Sequence, residues 1–289
     1  MKYTDIADAD CAIAQALGVV GEWWSLLVVR DVAGGFHRFD ELQASLGISR
    51  KVLTQRLGSL VEDGVLERRP YSEHPPRHEY HLTDKGRGLL PVLVALQDWG
   101  TRHVMGDGSL TAASAATSPE ARRVRELVGR RIPVAALTAH DGRPVDPVGP
   151  TPWTVIYCFA GAAAPGGRFY PPGWGDIPGA AGCTLESTTF RDRFGDFVDA
   201  GATVHGVSTQ RPDELAAFAA HVSLPFPLLS DADLQLAGSL RLPTFRAAGV
   251  DRLKRLTLVV DQDRVISDVL FPITDPAGSV DDALSRVRS

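Results

Sequence analysis

Cysteine is scarce in this chain. Three occur among 289 residues, at positions 11, 158 and 183, and no two stand in a CxxC spacing. That scarcity excludes a disulfide scaffold and a cysteine-rich zinc site, and it fits a reducing compartment, the cytoplasm. Long apolar runs are missing too: none approaches the ~18–20 residues that cross a bilayer, so no membrane partner is expected. The opening MKYTDIADAD is acidic and has no apolar core behind it, so it does not read as a secretory signal. Basic excess is lacking as well. A formal net charge of −5 excludes a uniformly basic nucleic-acid coat but not one local basic face. Neither a Gly-rich phosphate loop nor a His/Asp/Glu cluster with metal-ligand spacing is found, so no cofactor and no metal are expected.

What is present is an ordinary 44% hydrophobic content over a length that implies two domains. The stretch 106–120, GDGSLTAASAATSPE, is small and polar and reads as a linker. It separates a domain at 1–105, dense in helical periodicity, from one at 121–289, richer in β-branched runs.

In the first domain, residues 11–20 and 23–32 read as helices, the second nearly all apolar and so central. Residues 39–46 form a short helix with Phe39, Leu42 and Leu46 at helical spacing. Gly47-Ile48 turns the chain, and Ser49 caps a helix over 50–62 that puts Leu53, Leu57, Leu60 and Val61 on one stripe. Its other face offers Lys51, Gln55, Gly58 and Ser59, edged by Arg50 and Thr54. This is a helix-turn-helix pattern. Residues 65–69 and 77–82 can pair as a wing around a tip at 71–76. Thr83 then starts a helix whose stripe runs through Leu89, Leu93, Leu96 and Trp99, longer than one small domain covers, which implies a dimer contact. On this surface Arg50, Lys51, Arg56 and Arg77 can neutralise phosphates. Thr54 and Gln55 can reach base edges, Gln being suited to adenine.

With those residues in order, CAIAQALGVVGEWWSLLVVRDV and the ISRKVLTQRL and PPRHEYHLTDKG runs make the domain similar to the HxlR family of bacterial winged helix-turn-helix regulators, over roughly residues 10–100. The resemblance implies a homodimeric transcription factor on a two-fold DNA operator. It also implies an oxidant- or electrophile-sensing role for Cys11, against the plain reading of Cys11 as a small core residue.

The second domain reads β-α-β-α-α-β-β-α. Strands are expected at 153–159, 203–207, 255–260 and 265–270, and helices at 184–198, 212–221, 232–240 and 279–287. That order is an α/β thioredoxin-like fold. Cys183 falls in GAAGCTLE, where a loop meets a helix. Unpaired N–H groups and the helix dipole favour thiolate there, and Arg255 is a candidate neighbouring cation. Cys158 and His205 read as packed strand residues.

The segments GCTLESTTFRDRF, GVSTQRPDELAAFAAHVSLPFPLLSDADLQLAGSL and KRLTLVVDQDRVI resemble the peroxiredoxins, nearest the PrxQ (bacterioferritin comigratory protein) class, over roughly 128–288. By that resemblance Cys183 is the peroxidatic cysteine, Arg255 polarises the peroxide, and Thr184 follows the cysteine as in the family's GCT. The sequence departs from the pattern in three places. Ala180 stands where Thr or Ser is common, Thr188 replaces a resolving cysteine, and the Gly/Pro-rich loop 161–182 is longer. A disulfide partner would be Cys158, Cys11, another subunit or an external thiol. As a coil, the fifteen positions of 106–120 would span roughly 20 Å r.m.s., enough to keep a Cys11–Cys183 disulfide open.

The expectation is a redox-responsive DNA-binding regulator that reduces or senses peroxide with a thiol reductant. Two alternatives stand beside it: a thiol peroxidase whose first domain only dimerises it, and a regulator with an inactive, ligand-binding second domain.

Overall fold

The computed structural model describes residues 10–74, 76–166 and 170–288. The chain divides into two compact units, Met1–Leu93 and Val94–Ser289. Most of the acidic opening, one residue of the wing tip (75) and three of the loop 161–182 (167–169) lie outside the described residues. Among the described residues, no single helix is long and apolar enough to cross a membrane.

The first unit builds α1 (Ala12–Val20), α2 (Trp23–Ala33), α3 (Phe39–Leu46) and α4 (Arg50–Glu62). Helix α2 is central because its apolar side is nearly continuous: Val28, Val29 and Val32 are buried. Between α3 and α4 the chain reverses at Gly47, whose φ of +64° is one that side-chain-bearing residues rarely adopt. Ser49 then accepts a hydrogen bond from the Val52 N–H at 3.3 Å and starts α4. Leu53, Leu57 and Leu60 are buried at i, i+4 and i+7, leaving the opposite face to solvent.

The wing is β1 (Leu66–Glu73) paired antiparallel with β2 (Pro76–Leu82). It is longer than the expected hairpin, because Pro70 and Pro76 sit in a two-stranded ribbon whose outer edges need no N–H donor. The single helix expected after Thr83 is two. A four-residue α5 (Asp84–Arg87) is capped by the Thr83 hydroxyl, and α6 (Leu90–His103) follows. Gly86 and Gly88 weaken the junction, and Pro91 lies in the first turn of α6, where a missing N–H costs nothing. Val92, Leu96 and Trp99 remain exposed along α6, as do Ile13 and Leu17 on α1.

The second unit adds α7 (Pro119–Arg125), β3 (Leu137–Ala139), β4 (Pro144–Val145), β5 (Trp153–Cys158), α8 (Cys183–Asp192), α9 (Phe194–Asp199), β6 (Ala202–Ser208), α10 (Pro212–Val222), β7 (Leu228–Ser230), α11 (Gln235–Leu240), β8 (Thr244–Ala247), β9 (Val250–Leu253), β10 (Leu256–Asp261), β11 (Ile266–Leu270) and α12 (Gly278–Val287). Among the described residues the main sheet has seven strands in the order β11-β10-β5-β6-β7-β3-β4. β5, β6 and β7 run parallel at its centre, and β10 pairs antiparallel with β5. Alternation along β5 feeds two cores: Val155 and Tyr157 join one, Ile156 and Cys158 the other. This is a thioredoxin-like α/β sheet, but α7, β3 and β4 precede the expected order, and three further differences lie within it. The helix expected over 184–198 breaks at Arg193, which pairs with Asp196 at 2.6 Å. Short β7 lies between α10 and α11, and β8 and β9 form a separate hairpin.

The segment 106–120, expected as a flexible linker, lies within the second unit and is held there. The N–H groups of Ala112 and Ala113 donate to the Pro178 carbonyl at 2.9 and 3.0 Å. Lys254 Nζ reaches Glu120 Oε2 at 2.8 Å, with both side chains almost wholly buried, and Ser114 hydrogen-bonds the same carboxylate. Small side chains let this backbone lie close to its neighbours, which composition alone does not disclose. Removing the cation strands a buried carboxylate, so Lys254→Ala should lower stability by roughly 3–5 kcal/mol. Urea unfolding followed with protease cleavage within 106–120 checks this; unchanged values would mean the segment is not docked.

Candidate functional site

On the first unit, α4 holds Arg50, Lys51, Thr54 and Gln55 exposed, and Arg77 is exposed on β2. Arg50 is engaged: it pairs with Asp40 at 3.2 Å and lies over the Phe39 ring. Arg56 and Ser59 are half-buried and line a cleft with Leu17, Glu22, Glu62 and Asp63. The three carboxylates make that cleft a poorer phosphate site than the open line of Lys51, Thr54 and Gln55. The wing adds exposed Arg68, which the sequence reading passed over. At its base, Arg38 pairs with Glu79 at 3.0 Å. Cys11 is exposed and precedes α1.

On the second unit the chemistry gathers at the start of α8. Gly182 is the N-cap, with φ +107°. A Cβ there would meet Pro276 Cγ at 2.8 Å and Arg255 NH2 at 3.4 Å, so only glycine admits both. Cys183 follows, 2% exposed. Arg255, just ahead of β10, donates from NH2 to Cys183 Sγ at 3.4 Å and to the Ala181 carbonyl at 2.9 Å. Its NH1 donates to Gly179 O at 3.3 Å, and its Nε to Glu186 Oε2 at 3.1 Å. Ala180 is buried, and its carbonyl accepts from the thiol at 3.7 Å. Thr184 is exposed and hydrogen-bonds Tyr170.

The expected ease of ionisation is corrected. Burial pushes the Cys183 thiol above its ordinary value. Arg255 and the backbone N–H groups of Gly161 and Ala160 pull it down, and Glu186 pushes it up again. The helix terminus and one cation do not outweigh removal from water.

Glu186 escaped the sequence reading, although three residues after Cys183 on a helix is a same-face spacing. It is fully buried, and burial raises its carboxyl to about 8 against the pull of Arg255. Arg252, on β9, is a second buried cation: it lies over the Trp174 ring at 4.9 Å, and its charge acts on Cys183 and Tyr170. Behind the site the Tyr157 hydroxyl donates to Ser187 Oγ at 3.2 Å, and its ring stacks on Phe190. Cys158 faces the opposite core, and burial holds its thiol well above the ordinary range. His205 is buried in β6 against the Pro147 carbonyl.

Asp231 carries a related burial effect. It accepts from the Leu236 and Ala237 N–H groups at the start of α11, yet burial lifts it from 3.8 to about 7. The folded chain therefore keeps a proton that the unfolded chain releases. The contribution of Asp231 to stability should be fully present below pH 3.8 and be lost as pH rises from 3.8 through about 7. Asp231→Asn should flatten that part of a urea-midpoint-against-pH curve; an unaltered slope would assign the dependence elsewhere.

Residues 19–107 match the HxlR-like helix-turn-helix family model, and residues 177–269 match the AhpC/TSA family model. An HTH-type transcriptional regulator of Mycobacterium tuberculosis is 45% identical over 93 residues, which are 32% of this chain and 59% of that one. This chain thus spans less than two thirds of that relative. The HTH-type transcriptional regulator YvaP of Bacillus subtilis is 37% identical over 91 residues, 31% of this chain and 84% of that protein. Among solved structures, the peroxidoxin BcpB of Mycobacterium tuberculosis is similar at 26% identity and a TM-score of 0.46, over 56% of this chain and 96% of that one.

Proposed function

We propose, from the premise that the chain belongs to the HxlR-like helix-turn-helix regulators and carries an AhpC/TSA domain behind that module, that it is a homodimeric, cytoplasmic transcription regulator responding to peroxide through Cys183. The observation that carries this reading is the Arg255 NH2 donor 3.4 Å from a sulfur at a helix N-terminus. The thiolate attacks one peroxide oxygen, the O–O bond breaks, and an S–OH bond forms. The departing oxygen leaves with the bond pair and takes a proton, giving water or an alcohol. Arg255 and the backbone N–H groups near Cys183 face the charge that develops. A second thiol then attacks the sulfenic sulfur, forming a disulfide and releasing water. That thiol is an external reductant or Cys11.

DNA is the partner of the first unit. Lys51 and Arg77 contact phosphate, Thr54 and Gln55 read bases, and Arg50 flanks them. The exposed apolar residues of α1 and α6 supply the dimer contact for a two-fold operator. Lys51→Ala should weaken binding to every duplex and reduce the salt slope by about one. Gln55→Ala should remove about 1–3 kcal/mol of base discrimination. Operator titrations at several salt concentrations decide the matter: parental behaviour in both variants would misplace the recognition helix.

The buried thiol and Ala180 favour a sensor that reacts once over a fast peroxidase. Cys183→Ser should abolish peroxide consumption and sulfenic-acid trapping, while Cys158→Ser should leave both largely intact. Trapping at Cys158 would reverse the assignment. Rapid steady-state turnover with a thiol reductant would make the chain chiefly an enzyme, and an inert Cys183 would leave a ligand-binding module.

A further inference from the structure

Two acids and one strong cation share the buried end of α8. Cys183 and Glu186 lie one helical turn apart, and Arg255 contacts both, with NH2 on the sulfur and Nε on Glu186 Oε2. The remaining Arg255 donors serve the Gly179 and Ala181 carbonyls. Glu186 Oε1 is buried and accepts no hydrogen bond from the described residues. Other titratable or charged groups act here from the surrounding elements: Arg252 on β9 and Tyr170 on the loop act on Cys183. Tyr157 and Cys158 on β5 feel Glu186.

One guanidinium can neutralise one anion. With both acids ionised, the one guanidinium that contacts both would have to serve two anions away from water, which is costly even with the charge of Arg252 acting on Cys183. Ionisation of either group therefore opposes ionisation of the other, and the pair titrates as a unit.

We propose that Glu186 restrains Cys183, the carboxylate competing with the thiolate for the Arg255 cation. This rests on the reading of Cys183 as the reacting thiol and adds what governs its reactivity. Glu186 is a positioning residue, acting through Arg255. Its effect is the reverse of simple support: a neutral isostere should free the thiolate.

The test follows Cys183 in the full chain by peptide mass spectrometry, which separates it from Cys11 and Cys158. Rates of alkylation by iodoacetamide and of oxidation by hydrogen peroxide are measured against pH. In Glu186→Gln the midpoint for Cys183 should fall by about one pH unit, with the alkaline plateau retained. That is roughly tenfold more thiolate between about pH 8, above which the parent's Glu186 is ionised, and the parent's midpoint, with the two proteins converging at neutral pH. An unchanged or raised midpoint overturns the proposal. So does loss of the plateau without a lowered midpoint, the mark of a residue that merely holds Arg255 in place. A lowered alkylation midpoint with no peroxide reaction at any pH supports the competition while overturning the peroxide reading. Should that variant fail to fold, the parent sequence still answers. Infrared titration of the Glu186 carboxyl band is compared before and after excess hydrogen peroxide converts Cys183 to its sulfinate, a fixed anion. Competition requires the band to persist to higher pH in the oxidised protein; an unmoved band overturns it.

Discussion

The buried Arg255 guanidinium organises the second unit's chemistry because it joins parts of the chain that are otherwise remote. It stands at the head of β10 yet donates to the loop carbonyls of Gly179 and Ala181, to Cys183 and to Glu186 on α8. A guanidinium away from water must spread its charge over several acceptors. Here two are carbonyls, which carry no proton to lose, and two are acids. The carbonyls fix the fork in place whatever the protonation state, so the cation stays while the acids exchange roles around it.

Glycine at 182 and the hydrogen bonds from Arg255 to the Gly179 and Ala181 carbonyls follow from the same demand. The loop must approach the guanidinium closely, and the Gly182 φ of +107° turns the chain into α8 without a Cβ against Pro276. Asp231 gives a useful contrast. It too is a buried carboxylate lifted by desolvation, but its hydrogen-bond partners are backbone N–H groups of α11, which carry no proton to lose, rather than a cation shared with a second acid. Burial of a carboxyl therefore makes a stability device in one place and a tuning element in the other, according to what faces it.

The α-helical first unit was largely legible because its signals are local. Ser49 and the Leu53, Leu57, Leu60 stripe set α4, and its bounds, Arg50–Glu62, are those expected. The wing's extent was not legible, since the rule against proline in strands relaxes in a two-stranded ribbon. In the second unit the β-branched runs of β5 and β10 marked the sheet. The pairing of residues 183 and 255 was a candidate from the expected strand order and rested chiefly on family resemblance, no local pattern linking positions so far apart. Burial was the quantity the sequence concealed. GAAGCTLE reads as a loop entering a helix, where the helix N-terminus and a nearby cation would make the thiol acidic. The packed site makes it the reverse.

The segment 106–120 was misread for a related reason, and the misreading bears on signalling. A free coil would have let a sulfenic acid at Cys183 search for Cys11 by diffusion. Ala112 and Ala113 instead hang on the Pro178 carbonyl, and the next carbonyl along, that of Gly179, holds Arg255 NH1. The chain leaving α6 is thus bonded to the same loop that carries the arginine's acceptors. Adding an oxygen to Cys183 Sγ, in a site that leaves the residue 2% exposed, requires the atoms around the sulfur to shift. Among them are the Ala180 and Ala181 carbonyls, whose loop also bears Pro178. If Cys183 is oxidised as proposed, displacement of that loop would bear on the two hydrogen bonds to 106–120. The cysteine loop is therefore joined to the segment that follows α6 by the two hydrogen bonds at Pro178, a link that exists without any disulfide.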